Sequence, residues 1–265
     1  MGITGVLEGE EGESIASAHA GDRLDYNLPQ NQIDFLKKLR QGSKTPIIAV
    51  VTGGSPMNLA EVHELADAVL LTWYPGEEGG NAAADLIFGK ASPSGKLPVT
   101  FPRSLAQLPA YESYGMKGRT YRYLEAEPMY PFGYGLSYGK FAYSAARLSA
   151  TKAAKNKPVK LTATVTNNGP MASEEVVQLY LTHPPKAGAQ TPLFALKGFQ
   201  RVSRAPGAST TVKFTLTPDL LALVNAQGQA VAPSGPVTVW AGGLPSARSL
   251  ELGPPKPASA MLTIK

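Results

Sequence analysis

The sequence predicts an α/β region with a short parallel sheet, followed by an all-β sandwich. Strand-like and helix-like patterns alternate over the first hundred residues, which is typical of α/β structure. Beyond residue 143, short runs with period-two alternation follow one another without helices between them, which is typical of an antiparallel sandwich. The charge balance also changes. Residues 1–140 hold 12 basic and 16 acidic residues, whereas residues 141–265 hold 13 and 4, which indicates two modules.

Three predicted strands and three predicted helices make up the α/β region. Ile33, Leu36 and Leu39 have helical spacing and predict an amphipathic helix over residues 29–40. Apolar runs with the composition of buried parallel strands cover residues 46–51, 68–73 and 96–101. Pro98 places the last run at a sheet edge, because proline cannot donate to a ladder. Two further helices are predicted at residues 58–66 and 77–88.

Pro, Gly and Tyr dominate residues 102–140, which show no clear period. A structureless loop of this length is unusual, so we expect an ordered connector that is fixed by its aromatic side chains. We therefore divide the chain into an α/β portion, a connector and a β-sandwich, at residues 1–103, 104–142 and 143–265.

The second module is predicted to contain five main strands. They cover residues 159–165, 175–181, 194–202, 210–216 and 237–241. A nucleic acid or an anionic polysaccharide could bind so basic a module. The basic residues form no run and no nucleic-acid motif accompanies them, so we interpret them as spread along strand edges for solubility.

Composition excludes several other classes of protein. The 265 residues are 43% hydrophobic and 17% charged, which suits packed domains, and 27 Gly and 23 Pro favour many short elements. The absence of cysteine excludes disulfides and thiolate metal sites. No apolar run approaches the roughly 20 residues that a membrane span needs. No signal peptide is visible at the first residues, and we expect no membrane partner.

An acidic segment near the start is the first candidate for chemistry. Residues 7–13, LEGEEGE, hold four carboxylates. Crowded carboxylates raise the pKa of at least one of them, and glycines allow close approach to a ligand. A retaining glycosidase needs two carboxyl groups about 5–5.5 Å apart. From the residues alone, a solvated loop or a weak cation site is the more common explanation.

Three strings give the chain its family resemblance. Residues 73–102 read WYPGEEGGNAAADLIFGKASPSGKLPVTFP, residues 117–123 read KGRTYRY, and residues 129–144 read MYPFGYGLSYGKFAYS. In this order they resemble the C-terminal half of the family 3 glycoside hydrolases, the β-glucosidases and β-xylosidases. The later string EEVVQLYL, with LKGFQRV, TVKFTL and VTVWAGG, resembles the domain that ends many of these enzymes. The resemblance implies part of the family's α/β sandwich domain, then an immunoglobulin/fibronectin type III-like sandwich.

The resemblance also assigns a role to the acidic segment. The family often supplies its acid/base glutamate from such a loop, ahead of a Gly-Asp-Arg and a Leu-Pro-x-x-Gln. Here these are residues 21–23 and 28–32, in register. The resemblance thus implies Glu10 as the acid/base, with Glu8 and Glu11 as alternatives. Asp22 and Arg23 are expected to support the acidic loop through charge-assisted hydrogen bonds.

The implied function is that of the C-terminal portion of a retaining, exo-acting β-glycosidase. Terminal β-D-glucosides or β-xylosides would be its substrates. In the family, the nucleophilic aspartate lies in a barrel domain ahead of these strings, and no residue of this chain is expected to replace it. We therefore expect the chain to be inactive without a family 3 barrel, supplied in cis or in trans. The resemblance also implies an incomplete parallel sheet with an exposed apolar edge.

A different class of function stays open. The chain could be a non-catalytic carbohydrate-binding or assembly module, with the basic sandwich and the tyrosine-rich connector as its contact surface. The aromatic segments at residues 119–123 and 130–138 could stack on sugars, but we favour a role in fixing the connector.

No cofactor, metal or nucleic-acid partner is expected. Glu77 and Glu78 follow a predicted strand, where ligands often bind, but they would repel phosphate, and helix capping explains them. His19, His63 and His183 lack metal-ligand spacing. The localisation is open, and would be periplasmic or secreted if a longer precursor carries a signal peptide.

Overall fold

The computed structural model describes residues 25–144, 146–185 and 191–265. The chain divides into two compact units, which we call unit 1 and unit 2. Among the described residues, unit 1 comprises 25–90, 101–108 and 127–129, and unit 2 comprises 91–100, 109–126 and 130–265 without the undescribed positions.

Unit 1 is an α/β structure with a two-stranded parallel sheet. Its main elements are α1 (Gln30–Gly42), β1 (Ile48–Thr52), α2 (Ala60–Leu65), β2 (Ala68–Trp73) and α3 (Gly79–Ile87). The two strands pair in parallel from Ile48 opposite Ala68 to Thr52 opposite Trp73. The three helices and the first two strands predicted from the sequence are therefore confirmed.

Charged side chains fix the end of α1. Ile33 and Leu36 are buried as their spacing predicts, whereas Leu39 is 42% exposed. The guanidinium of Arg40, in the last turn, donates to the carbonyl of Leu65 (2.7 Å) and to the carboxylate of Asp67 (2.5 Å). The Asp67 carboxylate also accepts from the backbone N–H of Ile47 (2.8 Å). This N–H and the Arg40 guanidinium hold the pKa of Asp67 below its usual value.

The predicted third strand, at residues 96–101, is wrong. The structure assigns no strand to this segment. Its backbone turns to another partner, because the N–H of Leu97 donates to the carbonyl of Tyr134 and the carbonyl of Leu97 accepts from Gly133, both at 2.8 Å. Lys96 also points its ammonium at the carbonyl of Gly135 (2.8 Å). Long-range hydrogen bonds to the glycine-rich stretch at residues 133–135 thus replace a sheet ladder.

Unit 2 is a β-sandwich. Its strands are β3 (Phe141–Tyr143), β4 (Arg147–Leu148), β5 (Lys152–Ala153), β6 (Val159–Asn167), β7 (Ser173–Thr182), β8 (Ala195–Arg204), β9 (Ser209–Leu216), β10 (Leu223–Val224), β11 (Ala230–Val231), β12 (Gly235–Gly242) and β13 (Ala258–Ile264). Three short helices accompany them: α4 (Thr120–Tyr123), α5 (Pro218–Leu221) and α6 (Ala247–Glu251). The five strands predicted from alternation are confirmed as β6, β7, β8, β9 and β12, and the fold class is confirmed with them.

Two sheets enclose the sandwich core. One has the order β5-β13-β12-β7-β8, and in the other β6 pairs with β3, β4 and β9. All these pairings are antiparallel except that of β13 with β5. Alternate residues of each long strand point inwards, so that β6 contributes Val159, Leu161, Ala163 and Val165 to the core. Strand β13 was not predicted, although its Leu262 and Ile264 are core residues.

Residues 177–181 of β7 are buried on both faces of the sheet, unlike those of an ordinary sandwich strand. The outward-facing Gln178 donates from Nε2 to the carbonyl of Gly133 (3.0 Å), and the Tyr180 hydroxyl donates to Oε1 of Gln178. The ring of Tyr121 stacks on Phe132 with centroids 4.2 Å apart, and meets the Tyr180 ring edge-on at 6.1 Å. These aromatic side chains fix the Tyr-rich segment onto the sandwich, as we favoured from the sequence.

The helices of the described residues are all too short or too polar to cross a bilayer.

Candidate functional site

The predicted catalytic segment lies outside the described residues. Glu8, Glu10 and Glu11, as well as Asp22 and Arg23, precede the first described residue, Asp25. The structure does describe the sheet of unit 1, whose strands come later in the chain than this segment.

One edge of this sheet is formed by the carboxyl ends of β1 and β2. Because the strands are parallel, Thr52 and Trp73 end at the same edge, and the N–H of Gly53 donates to the carbonyl of Trp73 (3.2 Å). In open α/β sheets, ligands bind outside the carboxyl ends of the strands. We call residues 52–55 and 73–78 the strand-end site.

Trp73 holds an unusual backbone conformation at this site. Its φ is +54°, a region that bulky residues rarely adopt and that costs about 1–3 kcal/mol. The β1–β2 register shifts between Val51 and Thr52, immediately opposite. The indole packs on the fully buried Phe101, with ring centroids 6.1 Å apart and tilted by 60°. Packing on Phe101 thus contributes to holding a strained turn at the end of β2.

An exposed aromatic ring follows it. Tyr74 is 70% exposed, yet its ring lies so close to Gly54 that a Cβ there would be 2.5 Å from Cε2. No other residue type would fit at Gly54 without moving the ring. The strand-end site therefore presents an apolar ring face beside polar backbone, which is the combination that sugar sites use.

Glu77 is exposed, and Glu78 begins the next helix. Glu78 occupies the N-cap position of α3, but its carboxylate accepts no hydrogen bond from the helix backbone. Its carboxylate instead accepts from Nδ2 of Asn81 (2.6 Å). The helix dipole favours a carboxylate here, so the structural interpretation of Glu78 fits its position.

Tyr26 and Asn27, which lie 13 and 14 residues after Glu13 of the acidic segment, are held by other parts of unit 1. The N–H of Asn58 donates to the carbonyl of Tyr26 (2.8 Å), and its Nδ2 donates to Oδ1 of Asn27 (2.9 Å). The Tyr26 hydroxyl donates to the carbonyl of Pro102 (3.2 Å). The chain is thus fixed beside the segment that leaves β1, only three residues after Arg23 in sequence.

The two histidines of the described residues, His63 and His183, lie in different units and do not form a common site. His63 lies in α2, and His19 is outside the described residues. His183 is buried in unit 2, its Nε2 has no hydrogen-bond partner, and burial together with the charge of Lys197 lowers its pKa to about 4. Across residues 25–144, 146–185 and 191–265, no three His, Asp or Glu side chains come together as a metal site would require.

Sequence reasoning missed a buried ion pair. Lys96 and Glu175 in unit 2 lie 3.1 Å apart, with side chains 11% and 3% exposed. Burial and the Glu175 charge raise the pKa of the neighbouring Tyr143 well above its usual value. The sequence did contain a signal for this ion pair: Glu175 lies on the same face of β7 as the core residues Val177 and Leu179, where a charged side chain needs a partner.

Comparison with known proteins gives a consistent result. Residues 3–138 match the model of the glycosyl hydrolase family 3 C-terminal domain, and residues 175–244 match that of the fibronectin type III-like domain. A periplasmic beta-glucosidase of Salmonella typhimurium is 39% identical over 244 residues, which is 87% of this chain and 32% of that protein. A xylan 1,4-beta-xylosidase of Xylanibacter ruminicola is 41% identical over 229 residues, which is 85% of this chain and 26% of that protein.

Solved structures agree with this similarity. A Listeria innocua beta-glucosidase in complex with glucose has a TM-score of 0.77 and 30% identity, covering 92% of this chain and 34% of its own. A Bifidobacterium adolescentis GH3 beta-glucosidase has a TM-score of 0.78 and 32% identity, covering 91% of this chain and 36% of its own. The chain thus spans about a third of the length of the proteins that it matches.

Proposed function

The chain belongs to glycoside hydrolase family 3, and we propose that it acts as the C-terminal portion of a retaining, exo-acting β-glycosidase. Its substrates would be terminal β-D-glucosides or β-xylosides. The observation that carries the proposal is the match of residues 3–138 to the family 3 C-terminal domain, which spans both the acidic loop and the strand-end site. In addition, Tyr26 and Asn27, 13 and 14 residues after the acidic loop, bond to Asn58, three residues beyond Ser55 of the strand-end site. We retain 1–103, 104–142 and 143–265 as proposed domain limits, to be tested by limited proteolysis.

In the proposed reaction, Glu10 is the acid/base. Its protonated carboxyl donates a proton to the glycosidic oxygen while an aspartate of a family 3 barrel attacks the anomeric carbon, and the aglycone leaves as an alcohol. The Glu10 carboxylate then takes a proton from water, whose oxygen displaces the aspartate and restores both groups. The nearby carboxylates of Glu8 and Glu11 favour a raised pKa in this loop, as the first step requires. Asp22 and Arg23 would hold the loop in place.

The barrel is the partner that this proposal requires. It would be supplied by the same polypeptide or by a second chain. We expect the isolated 265-residue chain to show no turnover of aryl β-glucosides or β-xylosides above background, because it contributes no nucleophile. Robust hydrolysis by the pure chain would contradict the proposal.

The acid/base is tested in the complemented enzyme, with the barrel either mixed with the chain or fused ahead of it. Glu8→Gln, Glu10→Gln and Glu11→Gln are compared on one aryl glycoside with a poor leaving group and one with a good leaving group. Loss of proton donation should lower kcat/KM by about 10²–10⁴-fold for the poor leaving group and far less for the good one. We expect this pattern for Glu10→Gln only.

Glu64→Gln is the matched control, since Glu64 is an exposed glutamate of α2 outside the strand-end site and the acidic loop. It should behave as the unmodified protein. The same pattern in Glu8→Gln or Glu11→Gln would move the role to that residue. An equal loss for both leaving groups in all three variants would contradict an acid/base role for the acidic loop.

A further inference from the structure

The outer face of the four-stranded sheet in unit 2 carries an unusual set of side chains. Outward positions alternate with the core residues along β6 and β9 and are hydroxyl-bearing or basic: Lys160, Thr162, Thr164, Thr166, Ser209, Thr211, Lys213 and Thr215. Arg147 of β4 adds a third cation. We call this surface the basic face.

Strand register brings the three cations together. Arg147 lies opposite Thr162 on one side, and Lys213 lies opposite Thr162 on the other. Strands are spaced about 4.8 Å apart, so the Cα atoms of Arg147 and Lys213 are roughly 10 Å apart, with a threonine between them. Lys160 is diagonal to Lys213, at about 7–8 Å between Cα atoms. Residues far apart in sequence thus form one cluster, in which Arg147 and Lys213 lie on the edge strands β4 and β9 and Lys160 lies on the inner strand β6.

No carboxylate of the sheet balances these charges. Strands β3, β4, β6 and β9 contain no Asp or Glu. Beyond residue 140 the chain has four carboxylate side chains, and three have basic partners elsewhere: Glu174 with Arg201, Glu175 with Lys96 and Glu251 with Arg248. Within the described part of the chain, Arg147, Lys160 and Lys213 form no ion pair, so the basic face keeps three uncompensated charges.

A groove crosses the basic face. Its volume is about 310 Å³, and its polar lining comes from Ser144, Arg147, Thr162, Thr164 and Thr211. The groove therefore joins one cation to several hydroxyl groups, and Lys213 stands beside it, opposite Thr162. Hydroxyl groups both donate and accept hydrogen bonds, as sugar hydroxyls do.

We propose that the basic face binds an acidic polysaccharide, whose carboxylate or sulfate groups pair with the three cations while its hydroxyls bond to the threonines. Charge complementarity selects a polyanion. Single-stranded nucleic acid would require aromatic platforms for its bases, and no outward position of these strands is aromatic. The face therefore suits an anionic sugar chain better. Binding here is independent of hydrolysis at the acidic loop.

The test is binding of the full chain to soluble polymers, measured by calorimetry at low and high salt. The probes are polygalacturonate, dextran sulfate, neutral dextran and single-stranded DNA. The face variant combines Arg147→Gln, Lys160→Gln and Lys213→Gln. The control variant combines Lys117→Gln, Lys256→Gln and Lys265→Gln, which removes the same charge from other exposed positions.

We expect binding to polygalacturonate or dextran sulfate, weakened by salt and at least tenfold weaker in the face variant, with less than a twofold change in the control. Which polymer binds tells a carboxylate ligand from a sulfate ligand. The double variant Lys160→Arg, Lys213→Arg keeps both positive charges and should still bind. Circular dichroism checks that each variant is folded. The proposal is overturned by no binding to either acidic polymer, by equal losses in both variants, or by DNA binding as tight as polysaccharide binding.

Discussion

Unit 1 and unit 2 bury their strands in opposite ways. In unit 1 the six residues of β2 all keep partial exposure, and Ile48 of β1 is 45% exposed. In unit 2, residues 177–181 of β7 are buried on both faces, with the sandwich core on one and the Tyr121–Phe132 pair on the other. Unit 1, whose sheet is the less buried, also holds the strained backbone of Trp73. We therefore expect substitutions in the sandwich core of unit 2 to change stability more than substitutions in unit 1.

The largest effect should come from the sandwich core. Leu161→Ala removes a fully buried side chain of β6, and a buried Leu→Ala change costs about 2–5 kcal/mol of unfolding free energy. Urea unfolding measures this loss. Thr215→Ala, on the outer face of β9, is the control and should change stability by less than about 0.5 kcal/mol. A loss below about 1 kcal/mol for Leu161→Ala would show that unit 2 is not the stable unit.

Substitution of two glycines tests the close packing of residue 133 against β7. Gly133 has φ +76°, and a Cβ there would lie 2.3 Å from Oε1 of Gln178. Gly207 has φ +73° with open space around it. Both substitutions to alanine incur the left-handed backbone penalty, about 1–2 kcal/mol. Gly133→Ala should cost about 1–3 kcal/mol more, because it also forces the connector off β7.

Thermal unfolding of the two glycine variants gives the comparison. Equal melting temperatures would mean that the packing of the connector on β7 contributes nothing, and that burial on both faces does not distinguish unit 2.

Acid should weaken unit 2 through His183. Its pKa is lowered to about 4 in the folded state, against about 6.5 when unfolded, so the unfolded chain binds the proton first. The stabilising contribution is complete above pH 6.5 and is lost as the pH falls through 4, on the order of 1–3 kcal/mol. His183→Asn should remove this part of the pH dependence of the melting temperature, and His63→Asn should not. If the melting temperature had the same pH dependence in the unmodified protein and in His183→Asn, the proposed contribution of His183 would be contradicted.

The smallest effect is expected in unit 1. Asp67→Asn weakens the bonds to Arg40 and Ile47, which are largely solvent-exposed, so we expect a small fall in melting temperature. Because the pKa of Asp67 is lowered, its contribution is present above its usual pKa and fades as the pH falls below it. Glu64→Gln, at an exposed position of α2, is the control. A fall as large as that of Leu161→Ala would reverse the ranking of the units.

Local patterns predicted most of the fold, and long-range partners explain where prediction failed. Strands such as β6 follow from alternation alone. The segment around Lys96 has the composition of a strand, but its backbone binds to residues 133–135, which local pattern cannot reveal. The indole of Trp73 packs on Phe101, 28 positions further along the chain, and the clustering of Arg147 with Lys213 depends on register across three strands.

The candidate site was only partly predictable. The apolar run at residues 68–73 predicted the strand end at Trp73, and the resemblance to family 3 singled out the acidic segment, which lies outside the described residues. It could not indicate that Gly54 makes room for the Tyr74 ring, since the two residues meet only when β1 and β2 pair.

The measurement that tests the central claim most directly uses azide with Glu10→Gln in the barrel-complemented enzyme. An aryl β-glucoside with a good leaving group still forms the glycosyl-enzyme, and azide then attacks the anomeric carbon without needing a general base. We predict faster turnover with azide and a β-glucosyl azide product, whereas Glu64→Gln should give glucose as the unmodified protein does. Absence of azide rescue, or an α-glucosyl azide, would contradict the assignment of Glu10 as the acid/base of a retaining enzyme.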